Sequence, residues 1–192
     1  MERPPLTPRA VVLAAADLAD ARGLTEVTLS AVARALDVRT PSLYGHVRDL
    51  AALRDGITTL SLGELGDSAS EAVAGRAGRD ALRALCDAHR EYARAHPGRW
   101  ESLQRRAGAA VARSEEAARS SRALAAVLRG YGIAESDRVH ATRLIGSFLK
   151  GFLHLEHIGA FAHSAPPADA SWVLLIDRLD GLLRQWHTKD DE

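Results

Sequence analysis

The chain has 192 residues, of which 46% are hydrophobic and 26% are charged, and its formal net charge is zero. This composition predicts a folded protein of one large or two small domains and excludes an intrinsically disordered chain. The single cysteine, Cys86, excludes an internal disulfide and favours a reducing compartment. The N-terminal sequence MERPPLTPRA has no apolar signal core, and no run reaches membrane-spanning length. We therefore expect a soluble, cytoplasmic protein.

The first predicted helix begins at Thr7-Pro8, where threonine caps the helix and the proline needs no hydrogen-bond acceptor. Gly23 is expected to end it, because glycine is the usual residue just past a helix C-terminus. Apolar residues at helical spacing form its buried stripe, namely Val11, Ala15, Leu18 and Ala19.

The stretch Thr28–Leu50 predicts two further short helices joined by a tight turn. Thr28 is a suitable N-cap, and one apolar face follows it, formed by Leu29, Val32, Ala33 and Leu36. Asp37 stands in the turn, where a residue that tolerates a positive φ is needed. Thr40-Pro41 predicts the start of the second helix, with Thr40 as its N-cap. Its inner face is expected to be Leu43, Val47 and Leu50.

This arrangement is the helix-turn-helix pattern, in which the second helix enters the DNA major groove. The run from Gly23 to Ile57 also resembles the DNA-binding domain of the TetR (tetracycline-repressor-like) family of bacterial regulators. The resemblance rests on Gly23-Leu24, Thr28, Val32-Ala33, Val38, Pro41-Ser42-Leu43-Tyr44, His46-Val47 and Leu53. Two residues depart from the family pattern. Asp37 stands where the family usually has glycine, and Gly45 stands where it often has a larger side chain.

The resemblance implies a DNA-contacting set. We expect Arg39, Thr40, Ser42 and Gly45 to face the groove, with Arg39 placed to read guanine, and Pro41 belongs to the same DNA-contacting set. The remaining members, which hold phosphates or anchor the preceding helix, are Tyr44, His46, Arg48, Thr28 and Ser30. The alternative is a solvated helix face on which Tyr44 only packs. Residues 1–65 carry seven arginines and eight acidic residues, so the region lacks the basic character of many DNA-binding domains.

The N-terminal arm, Met1–Leu6, leaves two interpretations open. Arg3 is a candidate for a phosphate or minor-groove contact, or the arm is a frayed terminus.

The remainder of the chain predicts further helices and no strand. A fourth helix begins near Asp49, and the glycines and serines between residues 63 and 78 indicate its end and a domain boundary. Further helices are expected over about 79–96, around Trp100, over about 108–129, over about 135–159, and from an N-cap at Asp169 onward. The fold class is therefore all-α, with about nine helices, a DNA-binding domain at 1–62 and a ligand-binding and dimerisation domain at 63–192.

The last two helices are strongly apolar. The segment RLIGSFLKGFLHLEHIGAF, the proline-containing connector and the Trp-bearing helix after it resemble C-terminal regulatory domains of the same family. The resemblance implies that these helices pair with the same helices of a second chain in a four-helix bundle. Gly146, Ser147 and Gly151 permit close helix approach, which favours the same interpretation.

An effector pocket is expected where the stripe of the helix over 79–96 becomes polar and aromatic. Its candidate residues are His89, Tyr92, His96, Trp100, Gln104, Arg143, Phe148 and Phe152. The alternative is an ordinary core in which each histidine satisfies one hydrogen bond. His154, His157 and His163, with Glu156, permit a metal site, but no second ligand pair of known spacing follows, so no metal or cofactor is predicted. Arg105, Arg106 and Arg113 are expected to be solvated.

These patterns predict a homodimeric, ligand-responsive transcriptional regulator, more often a repressor in this family, that binds a near-palindromic operator and is released by a small molecule. A helical enzyme is one alternative, but the sequence has no phosphate-binding glycine motif, no HExxH and no CxxC. A protein-interaction bundle is another. It explains the apolar C-terminal helices but leaves the TPSLYGHV surface without a role.

Overall fold

The computed structural model describes residues 5–186, and within them the chain is entirely helical, as predicted. This part of the chain forms nine α-helices and two 3-10 segments, Leu24–Glu26 and Thr40–Gly45. The α-helices are α1 Pro8–Arg22, α2 Leu29–Ala35, α3 Leu50–Val73, α4 Gly78–Ala95, α5 Pro97–Ser102, α6 Ala109–Ala112, α7 Glu115–Gly130, α8 Arg138–His157 and α9 Ala168–Arg184. Among the described residues, no helix is both long and apolar enough to cross a membrane. Arg3 lies outside the described residues.

The chain divides into two compact units. The first contains the described residues of Met1–Glu64 together with Ala95–Ala117, and the second contains Leu65–Arg94 and the described residues from Ala118 onward. Residues 95–117, which the sequence analysis placed in the C-terminal domain, thus pack with the N-terminal region. The reason is that α5 packs against α1 through contacts that no sequence pattern reveals.

Local signals set the boundaries of the first helices as predicted. The Thr7 hydroxyl accepts a hydrogen bond from the amide of Ala10 at 3.1 Å, and Gly23 ends α1 with a φ of 90°. The Thr28 hydroxyl caps α2 by accepting from the amide of Ala31 at 3.1 Å. Both caps satisfy amides that a helix start otherwise leaves without partners.

The turn after α2 also follows the prediction, but the next element differs from it. Asp37 has a φ of 54°, the left-handed conformation that the pattern required. Thr40–Gly45 is a 3-10 segment rather than an α-helix, and its N-cap is Arg39, not Thr40. Arg39 caps it without a side-chain hydrogen bond. Leu43 and Val47 are nevertheless buried, because this tighter turn still directs both side chains into the core.

α3 ends at Val73, inside the predicted range of residues 63–78, but it runs through Gly63 and Gly66 and so ends later than these two glycines suggest. Gly63 and Gly66 do not break the helix; they allow other helices to come close. A Cβ on Gly63 would lie 3.3 Å from the Glu116 side chain, and one on Gly66 would lie 2.9 Å from the backbone nitrogen of Ser120. Glycine costs some helix stability, but here it permits contact with α7 that any side chain would obstruct.

Two further boundaries differ from the prediction. The helix expected over 108–129 is interrupted, and α7 begins after Ser114, whose hydroxyl accepts from the amide of Ala117 at 3.2 Å. This is a serine cap that the alanine-rich pattern concealed. Asp169 is not the N-cap of α9; that position is Pro167, and Asp169 lies in the first turn. The Asp169 carboxylate instead accepts hydrogen bonds from arginines of α4.

In the second unit, α4 is tied to α8 and α9 by polar contacts. Arg79 pairs with Asp177 at 2.6 Å, and the Trp172 indole donates to Asp87 at 2.8 Å. Beneath these contacts lies an apolar core that includes Leu82, Leu85, Ile145, Ile176 and Leu183. α8 and α9 therefore have one side fixed to α4, and their other sides carry side chains that residues 5–186 leave exposed.

Candidate nucleic-acid interface and effector region

The segment Arg39–Arg48 presents the predicted DNA-contacting side chains on a rigid base. Leu43 is fully buried and Val47 is 8% exposed, so both anchor the segment in the core of the first unit. The residues between and around them point outward, and Tyr44 is 58% exposed. Also exposed are Arg39, Pro41, Ser42, Gly45 and Arg48, whereas Thr40 and His46 are half-buried. A large tyrosine that stays this exposed among the described residues is typical of a binding surface.

Three side chains predicted to hold phosphates or to anchor the preceding helix already have partners within the chain. The Thr28 hydroxyl lies 3.1 Å from the Ser30 hydroxyl while it caps α2, so these two side chains form one small polar unit at the start of α2. The Arg48 Nε donates to Asp49 at 2.8 Å. Asp49 also caps α3 by accepting from the amide of Ala52, and these two hydrogen bonds lower the pKa of its carboxyl. A phosphate must therefore compete with Asp49 for Arg48.

Residues 1–65 are close to neutral, and contacts with α5 account for part of their acidic residues. The Arg99 guanidinium, 9% exposed, contacts Asp17 at 2.5 Å, Asp20 at 3.1 Å and Glu64 at 3.2 Å. Three of the eight acidic residues of the N-terminal region therefore form ion pairs with an arginine outside it. These three carboxylates pair with Arg99 on α5, so they do not offset the positive charge of the arginines near Tyr44.

The same contacts fasten α5 to the end of α1. The Arg99 amide donates to Asp20 at 2.8 Å, and His96 lies 3.1 Å from the same carboxylate. A Cβ on Gly98 would lie 2.1 Å from the Ala19 carbonyl, so only glycine fits there. One turn further on, Glu101 accepts from the amide of Leu24 at 3.1 Å. α5 thus holds the chain at the point where it turns from α1 towards α2.

The predicted effector residues fall in both units. In the first unit, Trp100 is buried, and Gln104 is exposed and donates to the Trp100 carbonyl at 3.4 Å. His96 makes the contact to Asp20 described above.

In the second unit, Tyr92 is buried and the His89 Nδ1 lies 2.7 Å from the Leu85 carbonyl. Burial lowers the pKa of His89, which favours the neutral imidazole. Arg143 is exposed in the single chain. The contacts of His89 agree with the alternative of a core histidine, and the effector role of the whole set stays a prediction.

Phe148 and Phe152 belong to an aromatic cluster around a buried cation that the sequence analysis missed. Phe148 stacks on Trp172 with ring centroids 5.4 Å apart, and Phe152 lies 5.0 Å from the same ring. The Arg90 guanidinium lies 4.9 Å from the Trp172 ring. Its charge is balanced by Glu156, at the end of α8, and by Asp169. An arginine in an amphipathic helix ordinarily indicates a solvated face, so only its distant partners reveal that Arg90 is buried.

Glu156 is thus occupied by arginines, and His154, His157 and His163 are exposed. In the part of the chain that the structure describes, no group of three or more His, Cys, Asp or Glu side chains is placed to hold a metal ion. Arg105, Arg106 and Arg113 are exposed, as the sequence predicted.

A groove of about 570 Å³ runs between the end of α3 and α4 in the second unit. Its lining is largely charged and includes Glu71, Arg76, Asp80, Arg83 and Glu91. Small-molecule pockets are mainly apolar with a few polar groups, so this open groove does not resemble the predicted effector pocket.

Comparison with known proteins identifies the family. A family model described as the tetracyclin repressor-like C-terminal domain matches residues 82–179. The chain is also 32% identical over 181 residues to the uncharacterized HTH-type transcriptional regulator YobS of Bacillus subtilis (strain 168), a match that covers 93% of both chains. The chain belongs to the TetR family. It is therefore a helix-turn-helix transcriptional regulator, and the proteins it resembles are transcriptional regulators, a non-enzyme class.

Two other relatives of this TetR-family regulator agree with that assignment. The uncharacterized HTH-type transcriptional regulator Rv0681 of Mycobacterium tuberculosis (strain ATCC 25618 / H37Rv) is 32% identical over 156 residues, which are 80% of this chain and 72% of Rv0681. The crystal structure of a TetR variant from Acinetobacter baumannii AYE in complex with minocycline shares the fold. Its TM-score is 0.75 at 19% identity, with coverage of 96% of this chain and 100% of that one.

Proposed function

We propose that this TetR-family regulator is a ligand-responsive repressor that binds a near-palindromic operator as a homodimer and is released by a small-molecule effector. The main observation behind the DNA-binding part of this proposal is the outward set, which is the group of exposed side chains on Arg39–Arg48. Leu43 and Val47 hold the segment from below, while Tyr44, Ser42 and Arg39 remain accessible. A rigid element that presents polar and aromatic side chains is what base and phosphate contacts require.

The open faces of α8 and α9 support the homodimer. Eight large hydrophobic side chains are exposed among the described residues, and seven of them lie on or beside these helices: Val139, Leu155, Ile158, Val173, Leu174, Leu175 and Leu182. Gly146, Gly151 and Gly181 lie on the same helices, and apart from its chain neighbours and its own helix backbone, a Cβ on any of them would meet nothing within 4 Å in the described residues. An apolar surface with gaps of this kind suits the close approach of a second copy.

The effector role rests on the second unit and on a relative. The TetR variant from Acinetobacter baumannii named above is complexed with minocycline, and its fold matches this chain over nearly its whole length. The candidate effector residues in the second unit include His89, Tyr92, Phe148 and Phe152. To release an operator almost completely, a ligand must bind the DNA-incompetent state more tightly by about 5.5 kcal/mol.

The test is selection of bound duplexes from a random DNA pool at two salt concentrations. We expect an enriched near-palindrome with half-sites about 34–36 Å apart, one turn of DNA. Weak binding without enrichment that disappears at the higher salt concentration would show non-specific phosphate contact and contradict the proposal.

Variants of the outward set separate DNA reading from folding. Arg39→Ala and Tyr44→Ala are expected to weaken binding to the selected duplex at least tenfold while circular dichroism and the melting temperature stay unchanged. Arg106→Ala is the matched control, because Arg106 is exposed and belongs to the same compact unit. An equal loss in the control variant would indicate a general charge effect.

A further inference from the structure

At most glycine positions of this chain, the fold itself explains why the residue is glycine. Gly23, Gly75 and Gly132 have a positive φ, which other residues rarely adopt. Gly56, Gly66 and Gly98 lie so close to neighbouring atoms that a Cβ would come within 3.0 Å of them. At each of these positions an alanine would strain the backbone or collide with the folded chain.

At Gly45, neither a positive φ nor close packing explains why the residue is glycine. Its φ is outside the left-handed region, and among the described residues, apart from its chain neighbours and the backbone of its own helical segment, no atom lies within 4 Å of the place where a Cβ would stand. It is exposed and is the last residue of the 3-10 segment Thr40–Gly45. Glycine weakens a helical turn relative to alanine because it loses more conformational freedom on folding. The folded chain is therefore less stable for this glycine and gains no internal contact from it.

The other helical glycines with open space around them fall on a surface that already has a proposed partner. They are Gly146, Gly151 and Gly181, on the sides of α8 and α9 assigned above to the second copy. Open helical glycines in this chain thus occur where another molecule is expected to come close. Gly45 lies between Tyr44 and His46, on the surface assigned to DNA, so the molecule that comes close to it is the duplex.

We propose that Gly45 is a specificity-determining position, at which the missing side chain lets the main chain of the recognition segment, Arg39–Arg48, approach the base edges of one base pair in the major groove. This inference rests on the proposed DNA-binding function. A Cβ at residue 45 would stand between the main chain and those base edges. A clash with a base edge depends on which atoms that base pair presents, because the four base pairs differ in the major groove. The consequence is a preference at one position of each half-site.

The test compares the wild-type full-length protein with Gly45→Ala and Gly45→Ser, each selected against the same random duplex pool. Because the site is open, both variants are expected to keep or raise the melting temperature. We expect at least a tenfold loss of affinity for the wild-type operator, and a changed base preference at one position of each half-site. The slope of log affinity against log salt should stay unchanged, since no phosphate contact is removed. Ala21→Ser is the control, an added atom at an exposed position of α1.

Other outcomes would overturn the inference in distinct ways. Unchanged affinity and unchanged preference would show that residue 45 does not approach the DNA. A loss that is equal for every sequence, with a shallower salt slope, would show a backbone contact instead of base reading. If the wild-type protein itself selected no operator, the proposed function would fail, and this inference with it. That result is recognisable because it does not depend on the variants.

Discussion

At the scale of single residues, Asp37 shows how a turn constrains the amino acid at one position. Its φ of 54° lies in the left-handed region, which costs an ordinary residue about 1–2 kcal/mol but is tolerated by aspartate, asparagine and glycine. The turn it occupies sets the direction of the recognition segment relative to α2. Aspartate at this position therefore permits the same turn geometry as the glycine that is more common there.

We expect Asp37→Val to lower the free energy of unfolding by about 1–2 kcal/mol, because a β-branched residue is strained at a positive φ. Urea denaturation followed by circular dichroism measures this change. Asp37→Gly is the matched control and should be more stable than Asp37→Val by at least the same margin, since glycine adopts this φ freely. Equal stability of the two variants would contradict the conformational argument.

At the scale of elements, the fastening of α5 to α1 depends on Arg99. Its side chain is 9% exposed and contacts three carboxylates, of which Asp20 is largely buried. Removing one partner of a buried ion pair leaves the other charge without compensation. The fastening therefore depends on a complete network instead of on any single strong pair.

We expect Arg99→Gln to lower the free energy of unfolding by about 2–4 kcal/mol, somewhat less than for a fully buried pair because Asp17 and Glu64 remain partly hydrated. Denaturant unfolding gives the value. Arg119→Gln is the comparison variant: Arg119 pairs with Asp67 at 3.0 Å, and the two side chains are 37% and 63% exposed, far more than that of Arg99. An exposed pair contributes at most about 1 kcal/mol, so a similar loss in both variants would refute the role of burial.

The contact of α4 with α8 predicts a dependence of stability on pH. Burial raises the pKa of the Glu156 carboxyl, but hydrogen bonds from Arg90 and Arg94 outweigh this effect, and the net pKa is below its usual value of 4.5. Since the folded-state pKa is lowered, the stabilisation is complete above the unfolded-state pKa. It is lost as the pH falls through the folded-state pKa.

We therefore expect the wild-type protein to be more stable than Glu156→Gln at neutral pH, and the difference to shrink steadily as the pH falls below about 4.5. Denaturation midpoints measured across this range test the expectation. Glu135→Gln, at an exposed position, is the control and should show a small difference that does not depend on pH. A gap for Glu156→Gln that persists at low pH would mean that packing, not charge, holds α8 to α4.

At the scale of the whole molecule, the proposed dimer makes the open faces of α8 and α9 essential for operator binding. Leu174 and Leu182 are 53% and 54% exposed in the single chain. In a two-fold interface each substitution is present twice, so one arginine introduces two charges into a surface that must lose its water.

We expect Leu182→Arg to raise the dimer dissociation constant at least a hundredfold, as measured by sedimentation equilibrium. Binding to a duplex with two half-sites should weaken in parallel, while weak binding to a single half-site should persist, because the recognition segment is untouched. Ala126→Arg, at an exposed position of α7, is the control. A variant that remains dimeric would place the interface elsewhere.

Much of the first unit could be predicted because its signals are local. The Thr7 and Thr28 caps, the end of α1 at Gly23 and the positive φ of Asp37 each depend on a few neighbouring residues. The 3-10 form of Thr40–Gly45 could not be predicted, since the same caps and apolar spacing are compatible with an α-helix. The candidate DNA-contacting residues were predictable as an outward set for the same local reason.

The remaining contacts join residues far apart in the sequence. Arg99 meets Asp17 across 82 positions, and Arg90 meets Glu156 across 66. A glycine within a helix indicates either that the helix ends there or that another segment packs closely against it. Which of the two applies depends on whether a residue from elsewhere in the chain packs at that position. For Gly63 and Gly66 that residue lies on α7, more than fifty positions away, which is why the sequence pattern suggested a helix end.

The sequence by itself determined that this protein is all-helical, where most of its helices begin, and that residues 28–50 form the helix-turn-helix of a TetR-family regulator. Only the tertiary structure decided that α3 continues past its glycines, that residues 95–117 pack with the N-terminal region, and that Arg90 is buried among aromatic rings. The physical reason is the range of the interactions. Caps, φ preferences and helical periodicity act within about one or two turns, whereas burial and ion pairing depend on which distant segments meet.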